Sequence, residues 1–451
     1  MNESEPNRRA AQPQRVQQQV QIQIAIHNGK ITKSISAVNA KRQQVLNLPL
    51  TRARLTNRCM NACRFTLIAV LIIISGCSSK HHQAESFVKQ GIQNVQKGDL
   101  DEAMDDFDQA IELNPQNANA YYNRGIVKSR LKDWDGAIAD FTDSIKFNPQ
   151  HVGAYFYRGI AKQQNSDLQG ALADYTQTIA FDPQLALVFL NRGIVKSQLE
   201  DWDGALADYT QDIKFNPKST AGYFYRGIIK HQKGDLDGAL ADYTQALETG
   251  SKYTNAYYAR VYDRRGNLKV DRGDLAGAIA DFDQAIELSP QDGGSYMSRG
   301  VANYIDGHSS EALADFQKAV ELKFRYYDYP RIYTWLVKAK KADQLAAANQ
   351  ELKDYLLARQ DGADDWPVQV GHFLIGQLSQ DDFLKAADST DVKKNREQHC
   401  EVYFYIAIKH LLAGDRVAAK SSFQQCVDTN VKTFYEYRMA RIKLKQLEGK
   451  N

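Results

Sequence analysis

From Ala84 to about Tyr326, apolar and small residues return at fixed places within a unit of about 34 residues. Each unit has two blocks of helical periodicity, spaced i, i+3, i+4. With the recurrent proline set as position 32, the units run 84–117, 118–151, 152–185, 186–219, 220–253, 254–292 and 293–326. Position 4 is a ring (Phe87, Tyr121, Tyr155, Phe189, Tyr223, Tyr257, Tyr296) and position 8 is Gly (Gly91, Gly125, Gly159, Gly193, Gly227, Gly266, Gly300). Position 20 is Ala, from Ala103 to Ala312, and position 24 is aromatic, from Phe107 to Phe316. The pattern predicts two antiparallel helices per unit, A and B. Gly and Ala let them approach closely, and the rings fill the space between units.

Polar punctuation agrees. Lys97-Gly98-Asp99-Leu100 and Lys233-Gly234-Asp235-Leu236 place Gly at the end of helix A and an Asp cap before helix B. Pro115, Pro149, Pro183 and Pro217, each 34 residues apart, end helix B, because the residue before Pro avoids the helical region. In the sixth unit Ser251 stands where Pro is expected, and Pro290 follows 39 residues later. The five extra residues fall near Val261–Arg265, predicting a lengthened or bulged helix A. Length and residue pattern resemble the tetratricopeptide family over more than half the chain. The resemblance implies an all-α right-handed superhelix of helix-turn-helix repeats, followed here by a helical C-terminal region.

Position 5 of helix A is predicted to face the inner groove of such a superhelix. It reads Tyr122, Phe156, Leu190, Phe224, Tyr258 and Met297. An apolar stripe of this kind lines a protein-binding groove, or it is core covered by the neighbouring helix. Position 7 is Arg124, Arg158, Arg192, Arg226, Arg260 and Arg299. Such a ladder binds carboxylates of a partner, or pairs with Asp140, Asp174, Asp208 and Asp242 of helix B; the pairing is the expectation.

After Glu321 the period fades. Residues 327–399 read as a helical linker region: one helix over Ile332–Gln360, a loop over Asp361–Asp365, a short helix from Trp366-Pro367, and another over Leu378–Ala387. Residues 400–447 read as a degenerate unit plus a terminal helix, with Tyr403, Ala407, Ala419 and Phe423 at positions 4, 8, 20 and 24. Cys400 and Cys426 then sit at the start of helix A and the end of helix B, which antiparallel packing brings together. A disulfide or two buried thiols are the alternatives.

Asp328-Tyr329-Pro330 with Tyr333 and Trp335, Trp366 with Phe373-Leu374-Ile375-Gly376, Tyr403-Phe404-Tyr405, Leu412–Asp415 and Asn430–Tyr437 occur in that order. This text resembles the new-lipoprotein-I (NlpI) family of outer-membrane tetratricopeptide lipoproteins. The resemblance implies a homodimeric adaptor that brings a cell-wall endopeptidase to a periplasmic protease and contacts other peptidoglycan hydrolases. The chain departs from that family in having more full repeats before the shared region.

The amino-terminal end changes the picture of location. Residues 1–59 are Gln- and Arg-rich, and read as a disordered basic leader or as text before a start at Met60. Residues 60–76 read as a signal peptide: Arg64 supplies the positive end, and the Phe65–Ile74 run is too short to span a bilayer. Ile74-Ser75-Gly76-Cys77 resembles a bacterial lipobox. Lipidation at Cys77 would anchor the chain to the membrane, and Ser78 after it implies the outer membrane. Residues 77–83 would be a tether. An ordinary secretory peptide or a short anchor is the alternative.

Composition limits the rest. Residues 1–76 hold 11 Lys/Arg against 2 Asp/Glu, so the chain from Cys77 carries 46 basic and 52 acidic residues, a net of −6. An acidic body is a poor partner for nucleic acid. No CxxC pair, GxSxG, HExxH or phosphate-binding loop occurs, so no cofactor, metal or catalytic residue is expected. The expected function is a lipid-anchored periplasmic scaffold that binds proteins. The alternative is a structural envelope-assembly or oligomerisation protein without a dedicated groove. An enzyme would need a site in 327–451, where no nucleophile–base pair stands out.

Overall fold

The computed structural model describes residues 80–249, 254–323, 328–359, 365–432 and 434–449. The leader, the lipobox with Cys77, Ser251, the array end at Phe324–Tyr327 and the loop residues 361–364 lie outside them. The described residues form helices and turns, with no strand among them. They divide into two compact units, one ending at Leu199 and one beginning at Glu200.

The first unit contains α1 (80–97), α2 (Leu100–Leu113), α3 (Ala118–Arg130), α4 (Trp134–Phe147), α5 (Val152–Gln164), α6 (Leu168–Phe181) and α7 (Ala186–Gln198). Odd-numbered helices are A and even-numbered ones B. Helix α1 starts before Ala84, so residues 80–83 of the expected tether are helical. The second unit opens with the remaining repeat helices: α8 (Trp202–Phe215), α9 (Thr220–Lys233), α10 (Leu236–Glu248), α11 (Asn255–Arg272), α12 (Leu275–Leu288), α13 (Gly293–Asp306) and α14 (Ser309–Glu321).

The repeat residues act as the pattern predicts. A Cβ on Gly159 would lie 2.7 Å from the Tyr175 ring, and one on Gly266 2.7 Å from Phe282, so helix A rests on the ring of helix B. Ala171, Tyr175, Ala278 and Phe282 are fully buried. The A–B turn puts position 15 in the left-handed region, at Gly98, Gly234, Gly273 and Gly307 but also at Lys132, Ser166 and Glu200. At the next position Asp133, Asp167, Asp201, Asp235 and Asp274 cap helix B by accepting from the amide of a Gly three residues on.

The position-7 arginines are structural. Arg158 Nε and Nη2 donate to both oxygens of Asp174 at 2.9 and 2.7 Å. Lys162 Nζ adds a contact at 2.9 Å, and Arg158 also reaches Thr142 of the preceding repeat at 3.1 Å. Arg124, Arg226, Arg265 and Arg299 clamp Asp140, Asp242, Asp281 and Asp315 in the same way. The Asp carboxylates are buried. Asp174→Ala removes the anion and leaves two cations facing each other, so it is expected to cost about 3 kcal/mol. A urea-melt midpoint measures this, and an unchanged midpoint would show the clamp to be idle.

The insertion lengthens helix A without bulging it. α11 is one 18-residue helix. Arg265 bonds Asp281 and lies 5.5 Å over the Tyr262 ring, as Arg226 bonds Asp242 and lies 5.5 Å over Tyr223. Positions 4, 5 and 7 of this repeat are therefore Tyr262, Asp263 and Arg265, which corrects the sequence assignment of Tyr257, Tyr258 and Arg260. The five added residues extend the helix at its amino end.

The rest of the second unit is α15 (Asp328–Ala339), α16 (Ala342–Ala358), α17 (Trp366–Leu374), α18 (Gln380–Ala386), α19 (Val392–Leu412), α20 (Arg416–Asp428) and α21 (Tyr435–Glu448). The single helix expected over 332–360 is two. Lys341 adopts an extended conformation, and α16 folds back on α15, where Trp335 Nε1 donates to Asn349 at 2.8 Å. At the break, the Lys340 ammonium sits 3.6 Å over the Tyr304 ring. α19 and α20 form the degenerate pair. Cys400 lies well inside α19 rather than at its start. Its Sγ is 3.5 Å from that of Cys426, and both are buried, unbonded thiols. Among the described residues no helix is long and apolar enough to cross a membrane.

Candidate functional site

The position-5 stripe does not line an open groove. Phe156 and Met297 are fully buried, Phe224 is 1% exposed and Tyr122 is 7% exposed. Leu190 and Tyr258 are half-buried, and Tyr258 belongs to the added amino end of α11. The reason is that a position-5 side chain packs on the ring of its own helix B and, at Tyr122 and Phe224, on the next helix A as well. Tyr122 of α3 packs on Tyr157 of α5, with ring centroids 5.9 Å apart. Phe156 packs on Tyr175, and Phe224 on Tyr243 and Tyr257.

The face of helix A that stays open lies one to two turns further along, at positions 9, 12 and 13. In the first unit Ile92, Ile160 and Ile194 of position 9 are half-buried, and Gln96, Gln164 and Gln198 of position 13 are exposed. The second repeat differs: Arg130 takes position 13 and is half-buried, and Ile126 of position 9 is buried. In the second unit α9 repeats the common arrangement, with Ile228 half-buried and Gln232 exposed. Each of these four helices thus offers an apolar floor beside an amide rim. Amides donate and accept, so a row of them can bond the polar groups of another protein segment while the isoleucines take its apolar side chains. Attention to position 5 missed these residues, although the recurrence of Gln at position 13 was readable.

The same positions are closed in repeats 6 and 7. Asn267 and Asp271 of α11 are 9% and 8% exposed, and Val301, Tyr304 and Ile305 of α13 are 2%, 2% and 5% exposed. The C-terminal helix α21 accounts for part of that cover.

The second unit also buries a nest of acids. Tyr329 OH donates to Glu401 at 2.9 Å, while Tyr333 and Tyr405 donate to Glu436 at 2.5 and 3.0 Å. Burial, and then the Glu436 charge, push the Glu401 carboxyl well above its usual range. Burial likewise raises Glu436. These residues knit α15, α19 and α21 together in the core, away from solvent. Among the described residues no group of three or more His, Cys, Asp or Glu side chains could hold a metal ion.

Comparison with known proteins agrees with the repeat. Residues 93–132 match the family described as TPR repeat, and residues 190–254 and 264–323 match the family described as Tetratricopeptide repeat. No enzymatic family is indicated. No curated protein matches the chain. Among solved structures it is similar to a tetratricopeptide repeat protein from Parabacteroides merdae, at 20% identity over 57% of this chain and 99% of that one, with a TM-score of 0.43. It is also similar to pilF of Pseudomonas aeruginosa, at 15% identity over 47% and 94% of the two chains, with a TM-score of 0.42. A third is YrrB, described as a TPR protein with an unusual peptide-binding site, at 21% identity over 41% and 92%, with a TM-score of 0.35. The chain carries tetratricopeptide repeats, and its described residues form helices and turns.

Proposed function

We propose that the chain is a lipid-anchored scaffold of the bacterial envelope that faces the periplasm from the outer membrane. It holds segments of partner proteins on the helix-A faces of α1, α5 and α7 in the first unit and of α9 in the second. The observation that carries this reading is the contrast at position 13, exposed Gln in α1, α5, α7 and α9 against buried residues in α11 and α13. A solenoid that repeats an exposed amide rim beside an apolar floor presents one extended surface per unit, the kind repeat proteins use for binding. The lipobox at Cys77 supports the location, and the C-terminal text supports cell-wall hydrolases or a periplasmic protease as partners, with the chain as a homodimer.

Two measurements test it. Metabolic labelling with an alkyne fatty acid is expected to mark the wild type and not Cys77→Ala; equal labelling would remove the anchor. Crosslinking in native membranes is expected to lose most partner recovery in Gln164→Arg with Gln198→Arg. These substitutions lie on the surface and should change stability by no more than about 0.5 kcal/mol. Full recovery would show that partners are held elsewhere.

A further inference from the structure

In repeats 6 and 7 the helix-A face is covered by the chain's own last helix. Arg438 Nη1 of α21 donates to Asn267 Oδ1 at 2.6 Å, and its Nε lies 3.1 Å from Asp271 Oδ1. Arg441, one turn on, bonds the carbonyl of Asp271. Asn267 and Asp271 are positions 9 and 13 of their repeat, the positions that are half-buried Ile228 and exposed Gln232 in α9. Tyr435 OH pairs with Ser298 Oγ of α13 at 3.0 Å, and the Lys443 ammonium stands 5.9 Å from the Tyr304 ring at position 12. His231, at position 12 of α9, reaches the other Asp271 oxygen at 2.9 Å.

We propose that α21 is an intramolecular ligand seated on the face of repeats 6 and 7, and that this face is a receptor for an Arg-bearing amphipathic helix. Three features mark the contact. It is centred on Arg438, itself 8% exposed, which reaches positions 9 and 13 of α11 from a terminal helix, whereas the position-7 arginines of the repeats clamp an Asp of their own helix B. Asn267 and Asp271, which α21 bonds, continue from Asp263 at i, i+4 and i+8 of α11, a polar stripe down one side of a helix at positions that are apolar and amide in α9. Repeat 6 is also the one with the lengthened helix A, so the departure from the period coincides with the receptor. α21 also seats Glu436, Met439 and Ala440 in the core with α15 and α19, so its release opens that buried nest as well, while the repeat helices α9 to α14 stay folded. The free repeats bind partners while repeats 6 and 7 are held occupied. A partner helix with the same Arg spacing would enter by displacing α21. This goes beyond the proposed function and does not depend on which proteins the free repeats bind.

The test uses the full chain and a fluorescein-labelled peptide of residues 434–449. In Arg438→Glu, amide hydrogen exchange is expected to speed up across 435–448 while α9 to α14 keep their protection. The charge swap of Arg438→Glu with Asp271→Arg should restore protection of 435–448. The peptide is expected to bind Arg438→Glu at least about tenfold more tightly than the wild type, whose site is already filled. Arg441→Ala, a milder change, should show the same trend if Arg438→Glu is too disruptive to purify. Unchanged exchange in 435–448, loss of protection that spreads through α9 to α14, or failure of the peptide to bind a chain whose α21 is free would each overturn the proposal.

Discussion

Phe224→Asp is expected to unfold the repeats of the second unit, with a loss of more than about 5 kcal/mol and no cooperative melt near the wild-type temperature. Phe224 is 1% exposed and packs against Tyr225, Tyr243 and Tyr257 with ring centroids 5.4–6.1 Å apart. Removing the ring alone costs about 3–5 kcal/mol. A carboxylate among three rings adds a desolvation penalty that no cation offsets. The outcome separates the two meanings of the position-5 stripe. A groove residue would tolerate the change to within about 0.5 kcal/mol and lose only a partner. Circular dichroism during heating decides between them, and a near-wild-type melt would return position 5 to the surface.

Asp212→Ala is expected to stabilise the protein, by an amount that grows as pH rises from about 4 to about 7. Asp212 is 1% exposed at position 27 of its repeat, where the second unit elsewhere has Ala246, Ala285 and Ala319. Its carboxylate accepts from Ser219 Oγ at 2.5 Å, and burial pushes its pKa up to about 7. The folded value lies above the unfolded one. The stability it contributes is therefore fully present below about pH 4 and is lost as pH rises through about 7. A tenfold difference in proton affinity between the folded and unfolded chain corresponds to about 1.4 kcal/mol. The variant should therefore gain roughly 2–4 kcal/mol at pH 8 and lie within about 1 kcal/mol of wild type at pH 4. Urea melts of both proteins across that range measure it. A variant that is less stable at pH 8 would mean that the ionised Asp212 is held by more than Ser219.

The repeat was legible because its physics is local and recurs. Gly at position 8 and the ring at position 24 act within one helix pair in unit after unit, and the Asp cap does so in five of the seven. Two things were not legible. The first is which side of helix A stays open. That depends on how successive A helices pack, and rings such as Tyr122 and Phe224 turned out to fill that contact. The second is the register of the sixth repeat. An insertion can be absorbed anywhere along a helix, and only the Arg265–Asp281 clamp fixes where. In the C-terminal region, Tyr329, Tyr333, Tyr405 and Glu436 were legible as separate pieces of text. Their meeting in one buried nest joins residues as distant as Tyr333 and Glu436, 103 apart in the chain, and no local pattern encodes that.

The most direct test of the binding face is site-specific photocrosslinking in cells with a benzophenone amino acid. It would be placed at Gln164 in the first unit, at Gln232 in the second, and at exposed Ala173 on helix B (α6) as control. Discrete protein adducts are expected from Gln164 and Gln232 and none from Ala173. Adducts from Ala173 alone, or the same adducts from all three positions, would refute a helix-A binding face.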